Sequence, residues 1–289
     1  MRNVKIGCPG FILRDYFAQD FEGGIEKIGA MGFDGIEITG FFGRDAETIR
    51  ALCEKNHLEV FGCYALTPNM LCKPIPPEMA AWDDLLETMT IPAQTPDEVM
   101  EYIKKLGAEY IGLCMTNDPP SENTFAEICA VDELARRHGL KVQYHNHNWE
   151  YFNMVNGEYR MDHVMKNIPE TVLFEPDLGW MAIGGYDPMR ALKKYKDRIE
   201  IVHLKDYYRA GENILDVDAP FEFRPTGYGV LDWSNIVAYC EREIRPKWYV
   251  ADHDKAVHGT VFEELEASLR YIRELLKYAQ PETQEHAEK

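Results

Sequence analysis

Positive charge is scarce in this sequence. Its 31 Lys and Arg face 49 Asp and Glu, a formal net charge of -18. A polyanion is first recognised through a patch of Lys and Arg that releases counterions, so nucleic acid and anionic lipid surfaces are excluded as expected partners. Long apolar runs are missing as well. No stretch approaches the ~18 residues of a membrane-spanning helix, and Met1 to Gly10 carries Gly and Pro where a secretory signal would have an apolar stretch. The seven cysteines (Cys8, Cys53, Cys63, Cys72, Cys114, Cys129, Cys240) are odd in number and form no C-x-x-C pair, which reads as reduced thiols in a cytoplasmic protein. There is no G-x-G-x-x-G opening a helix, no Walker loop and no G-x-S-x-G elbow, so no dinucleotide, nucleotide or serine-hydrolase chemistry is assigned. A Gly/Ser linker is also lacking, which removes the seam that two domains would need.

What is present is a recurring unit: a short β-branched run, a loop, then an amphipathic helix ending at glycine. The strand readings are Val4-Lys5-Ile6, Gly35 to Ile38, Leu58 to Cys63, Tyr110 to Leu113, Lys141 to His145, Thr171 to Glu175, Ile199 to Leu204 and Trp248 to Ala251. Thr95-Pro96-Asp97-Glu98 has the N-cap, first-turn proline and N3 glutamate of a helix start. Phe262, Leu265, Leu269, Ile272 and Leu276 form one apolar stripe on a final helix. Eight strands alternating with helices over residues 1–279 predict a single α/β domain, a (β/α)8 TIM barrel, with a frayed tail at 280–289. The longest intervals, roughly Tyr64 to Gln94 and Asp206 to Asp232, follow strand C-termini, the face where such barrels keep their active sites.

The ends of the last four strands are rich in imidazole and carboxylate: Tyr144-His145-Asn146-His147-Asn148-Trp149-Glu150, Glu175-Pro176-Asp177, His203-Leu204-Lys205-Asp206 and Asp252-His253-Asp254. Ligands of these kinds converging from separate strands suit a divalent cation such as Mn, Co, Zn or Mg. A bound cation would polarise a sugar carbonyl and stabilise the enediolate left when a neighbouring C–H proton is removed.

These segments, with Phe174 to Trp180, Gly227 to Trp233 and Gly32 to Ile38, resemble in order the blocks of the sugar phosphate isomerase/epimerase family, the xylose-isomerase-like barrels, in their Tyr-His-Asn-His branch. The resemblance implies a metal held by an acid on strand five, an Asp on strand six, a His on strand seven and a Glu on strand eight. Asp177 and His203 fall on matching positions. Asp252 takes the place of the strand-eight glutamate with a shorter side chain, and His253 either compensates or points elsewhere. Strand five carries no carboxylate there, leaving His145, His147 or water.

For proton transfer the candidates are Glu150, Glu175 and His145, with His147 as base or substrate ligand; a partly buried glutamate has its pKa raised toward the working range. Lys205 either binds a substrate oxygen or pairs with Asp206. Trp180, Trp149, Trp82, Phe41, Phe42 and Tyr64 are candidates for an apolar wall against a sugar face or aglycone. Only Arg209 and Arg224 lie near the strand ends, which disfavours a phosphorylated substrate. The expected activity is isomerisation or epimerisation of a neutral sugar or keto-sugar. The alternatives are a lyase or dehydratase expelling water or an aglycone from a 3-oxo-sugar through the same enediolate, and a non-catalytic sugar-binding barrel. A homo-oligomer or a small partner subunit stays open.

Overall fold

The computed structural model describes residues 4–64, 88, 91–114, 122–211, 213–214 and 216–279. The frayed-tail expectation, Trp82 and most of the Tyr64 to Gln94 interval lie outside these residues. All eight expected strands form: β1 Lys5–Pro9, β2 Gly35–Ile38, β3 Glu59–Tyr64, β4 Tyr110–Leu113, β5 Lys141–His145, β6 Leu173–Glu175, β7 Ile201–His203 and β8 Trp248–Val250. They make one parallel sheet in the order β6-β5-β4-β3-β2-β1-β8-β7. The crossovers carry α1 Arg14–Met31, α2 Ala46–Lys55, α3 Pro96–Leu106, α4 Glu122–Arg137, α5 Arg160–Asn167, α6 Pro188–Tyr195 and α7 Trp233–Tyr239, with α8 Val261–Ala279 after the last strand.

Local chemistry sets the helix ends. The capping box at Thr95 forms as its sequence predicts, with Glu98 closing it and Pro96 in the first turn. Gly32 ends α1 at φ 89°, a left-handed cap that glycine adopts without a Cβ penalty. Among the described residues no helix is long and apolar enough to cross a membrane.

The sheet closes at the functional end. β6 and β7 meet through one bridge, Asp177 to His203, where the His203 amide donates to the Pro176 carbonyl at 2.9 Å. Because side chains alternate along a strand, the barrel interior fills in layers. Phe61, Tyr110, Ile201 and Trp248 plug the bottom, with Phe61 stacked on Trp248 at 4.1 Å. Two residues further along the strands the same face carries Gln143, Glu175 and His203. The opposite faces, including Tyr144, Phe174, Val202, Leu204 and Tyr249, join the large outer core beneath the helices.

The interval after β7 folds as an antiparallel hairpin, Asp206–Arg209 with Phe221–Arg224. A shorter hairpin, Met154–Val155 with Glu158–Tyr159, follows β5.

Candidate active site

The layer above the apolar plug is a buried carboxyl pair. Glu37 from β2 and Glu175 from β6 are 1% and 0% exposed and share the Gln143 side-chain amide, which donates to both. Tyr64 donates to Glu175 Oε2 at 2.6 Å. Gly112 makes room for that phenol, since a Cβ there would sit 2.5 Å from the Tyr64 ring. Burial first, and then the Glu175 charge, push the Glu37 carboxyl up to about 8, so it keeps its proton at neutral pH. Burial opposes the Glu175 charge, but the His203 charge and the close approach of the His145 and His203 imidazoles outweigh it and hold that carboxyl below the usual range.

Above this pair His203 is the hub. Its Nδ1 lies 2.9 Å from Asp252 Oδ2, and its Nε2 lies 3.2 Å from Glu175 Oε1 and 3.3 Å from Glu37 Oε2. Burial works against its positive charge, yet Glu175 and Asp252 overcome that and raise its pKa well above the ordinary value. His145 Nε2 stands 3.7 Å from Asp177 Oδ2. Asp177 is locked by its neighbours: Oδ1 accepts from the Trp180 amide at 2.8 Å, and Asn146 clasps its main chain through both amide atoms. Oδ2 stays turned toward the barrel axis.

Lys205 is 1% exposed, with Nζ 2.9 Å from Asp177 Oδ2, 3.0 Å from Asp252 Oδ2 and 2.5 Å from Asp254 Oδ1. Burial opposes its charge, and the three carboxylates hold its pKa well above the ordinary lysine value. Gly179 permits this approach, because a Cβ there would meet the Lys205 carbonyl at 2.5 Å.

A cation fits this wall. Ligand atoms of His145, Asp177 and His203 lie within 4.8 Å of one another. Buried atoms of the same three residues, His145 Nδ1, Asp177 Oδ2 and His203 Nε2, make no hydrogen bond of good geometry. With Glu37 protonated, four carboxylates still face the charges of His203 and Lys205. A donor set of imidazole nitrogen and carboxylate oxygen in a negative environment suits a divalent ion. A second set, Glu37, Glu175 and His203, is equally close. Its carboxylates already accept from Gln143 and Tyr64, so it reads as a hydrogen-bonded support.

Several sequence expectations move. Asp252, expected as a metal ligand and one methylene shorter than glutamate, lies with its Oδ2 2.9 Å from His203 Nδ1 and 3.0 Å from Lys205 Nζ. His145, a catalytic candidate, is the residue grouped with Asp177 and His203. Glu150 is 0% exposed but lies outside the barrel, accepting from the Tyr144 hydroxyl at 2.7 Å and the His147 amide at 2.9 Å. It sits behind the wall that carries the cluster, because Tyr144 and Glu150 face the helices while His145 faces the axis.

Lys205 does not pair with Asp206. That carboxylate is enclosed by the Tyr207, Gly227, Gly229 and Val230 amides and the Trp233 indole N–H. His253 points away, its Nε2 3.0 Å from Glu264 Oε2. Phe41 packs on Tyr102 and Phe42 on Phe17 and Phe21 in the outer core, so neither joins the wall.

His147, Trp149, Trp180 and Tyr64 do border the cluster. His147 stacks on Trp149 at 4.3 Å and lies 5.3 Å from the His145 ring. Burial first, then the neighbouring His145 and Lys205, push the His147 pKa well below the ordinary value, which keeps the ring neutral with its Nδ1 unbonded. Trp180 packs edge-on to Phe223 at 5.3 Å. Arg209 donates to the Ile214 and Ile183 carbonyls, and Arg224 pairs with Glu222.

From sequence alone, Glu37, Gln143, Asn146 and Asp254 received no role of their own. The signal for three of them was the period of two: Gln143 precedes His145, and Asp254 follows Asp252, by one strand repeat, while Glu37 is the inward residue of the glycine-flanked β2.

The chain is similar to proteins of known fold and activity. An inosose dehydratase of Clostridium perfringens is 24% identical over 94% of this chain and 97% of its own length. A sugar phosphate isomerase/epimerase structure from Parabacteroides distasonis superposes with a TM-score of 0.70 at 20% identity, over 94% of each chain. A xylose isomerase-like barrel protein from Mycobacterium smegmatis, solved in complex with magnesium, gives 0.64 at 13% identity, over 96% of this chain and 98% of its own. The family model described as xylose isomerase-like TIM barrel matches residues 25–275, and the chain belongs to that family.

Proposed function

We propose that this protein is a divalent-cation-dependent lyase that expels a β leaving group, water in the simplest case, from a neutral keto-sugar or keto-polyol. The observation that carries the reading is the convergence of His145, Asp177 and His203 at the C-terminal mouth of the barrel, beside a buried lysine and a neutral histidine. The dehydratase name of the full-length relative supports elimination over the isomerisation expected first; both share the enediolate.

His145, Asp177 and His203 would hold the ion, and what it supplies when bound is polarisation of the substrate carbonyl and stabilisation of the enediolate. The neutral His147 presents an unbonded Nδ1 and accepts the proton from the carbon next to the carbonyl. The electron pair released forms the carbon–carbon double bond as the β oxygen departs. Lys205 hydrogen-bonds that oxygen and supplies the proton with which it leaves. Glu175, fixed by Gln143 and Tyr64, supports His145 and His203 from below. Trp180 offers a ring face to the apolar side of a sugar. The chain's odd number of cysteines without a C-x-x-C pair supports a cytoplasmic location.

The test is to incubate the purified protein and Mn with an inosose, a 3-oxo-glucoside and a ketohexose, following products by NMR. Dehydration or aglycone release without epimer formation is expected. Epimer formation without elimination would return the function to the isomerases, and Mn binding with no turnover on any of the three would remove the lyase reading.

A further inference from the structure

We infer that Lys205 is a resident counter-cation that competes with the divalent ion for Asp177, and that Asp254 is where its ammonium is held once the ion binds. The inference rests on the metal reading of the site. Lys205 Nζ stands as an ion-pair partner 2.9 Å from the same Asp177 Oδ2 that faces His145 Nε2, and 3.0 Å from Asp252 Oδ2. It therefore occupies, as an ammonium, the position from which a cation would neutralise both carboxylates.

Its surroundings leave it few other partners. Nζ stands 5.4 Å from the Trp180 ring and 5.7 Å from the Phe223 ring, so water has little access and carboxylates take the charge. An ammonium and a divalent ion sharing one buried oxygen repel each other strongly where solvent does not screen them. Relief is built in. The shortest contact is to Asp254 Oδ1 at 2.5 Å, on a carboxylate outside the ligand set and 23% exposed. Its segment is anchored by Arg14, whose Nη1 donates to the Asp254 carbonyl at 3.1 Å. Lys205 can release Asp177 and keep Asp254. Metal affinity is then set by the lysine as well as by the ligands, and it is weaker than the ligand set alone would give.

The experiment is calorimetric titration of Mn into the chelator-stripped, full-length protein, with thermal unfolding measured in parallel. Lys205→Met is expected to tighten Mn binding at least tenfold and to enlarge the Mn-induced rise in Tm. Lys205→Arg, which keeps the charge, should stay within about threefold of wild type. Asp254→Asn should weaken binding threefold or more, because the ammonium loses its alternative partner, and this variant decides the matter if Lys205→Met does not fold. Wild-type binding with unchanged or weaker affinity in Lys205→Met, or unchanged affinity in Asp254→Asn, overturns the competition while leaving the metal site standing. No Mn binding by wild type and variants alike overturns both.

Discussion

Asp252 and Glu150 show how a shared residue type acquires different work from its direction on a strand. Asp252 faces the axis and bonds His203 Nδ1. In the proposed site Asp252 orients a ligand from outside, and replacing such a partner costs about 10–100-fold in metal affinity, so Asp252→Asn should retain measurable Mn binding in calorimetry, whereas His203→Asn should abolish it. Equal loss in both would make Asp252 a ligand.

Glu150 faces outward. Burial lifts its carboxyl from 4.5 to about 7, against the hydrogen bonds from Tyr144 and His147. A carboxyl whose folded pKa is raised binds more protons folded than unfolded. Its contribution to stability is therefore full below 4.5 and is lost as pH rises through about 7. The difference corresponds to about 3 kcal/mol at most. Urea unfolding between pH 4.5 and 7.5 should show this slope in wild type and a reduced slope in Glu150→Gln; identical slopes would locate the proton uptake elsewhere.

At the scale of elements, the hairpin after β7 is tied to the barrel by Asp206. Its carboxylate accepts from the Gly227, Gly229, Val230 and Tyr207 amides and from Trp233 Nε1. Asp206→Ala leaves these donors without an acceptor, and a buried unsatisfied donor costs about 1–3 kcal/mol. Hydrogen exchange should therefore accelerate at residues 227–230 while the β4 and β5 amides stay protected. Uniform acceleration would mean a global loss in place of a local one.

The strands and most helix ends were legible in the sequence, because β-branched runs, the Thr95 capping box and the Gly32 stop act over a few residues. The hairpin of 206–224 was read only as an insertion, since its pairing depends on Asp206 and on aromatic contacts such as Trp180 with Phe223 that no local pattern announces. In the candidate site, Asp177, His203, His145 and Lys205, named for their chemical type, do converge in space. Glu37 was passed over because it comes from a distant strand, and Glu150 was included because a residue's loop neighbours do not reveal which side of a barrel wall it faces.

The whole molecule divides by height along the barrel. The bottom is an apolar plug ringed by ion pairs, with Lys141 and Lys247 both on Glu200, and the top carries the charged cluster. Conservation of stability below and chemistry above is the ordinary division of labour in this fold. Trp248→Ala, which deletes the ring stacked on Phe61, should cost about 3–5 kcal/mol of stability and leave Mn affinity within error by calorimetry; a large change in affinity would show that the two ends are coupled.

The acidic balance acquires a place here too, since part of it is the carboxylate cluster around His203 and Lys205. The proposed ion is held by His145, Asp177 and His203. Anomalous diffraction from crystals grown with Mn tests this directly: one Mn peak bonded to those three residues, with Asp252 remaining on His203 Nδ1, is the predicted result. A peak ligated by Asp252 in place of His145, a peak between Glu37 and Glu175, or no peak would contradict it.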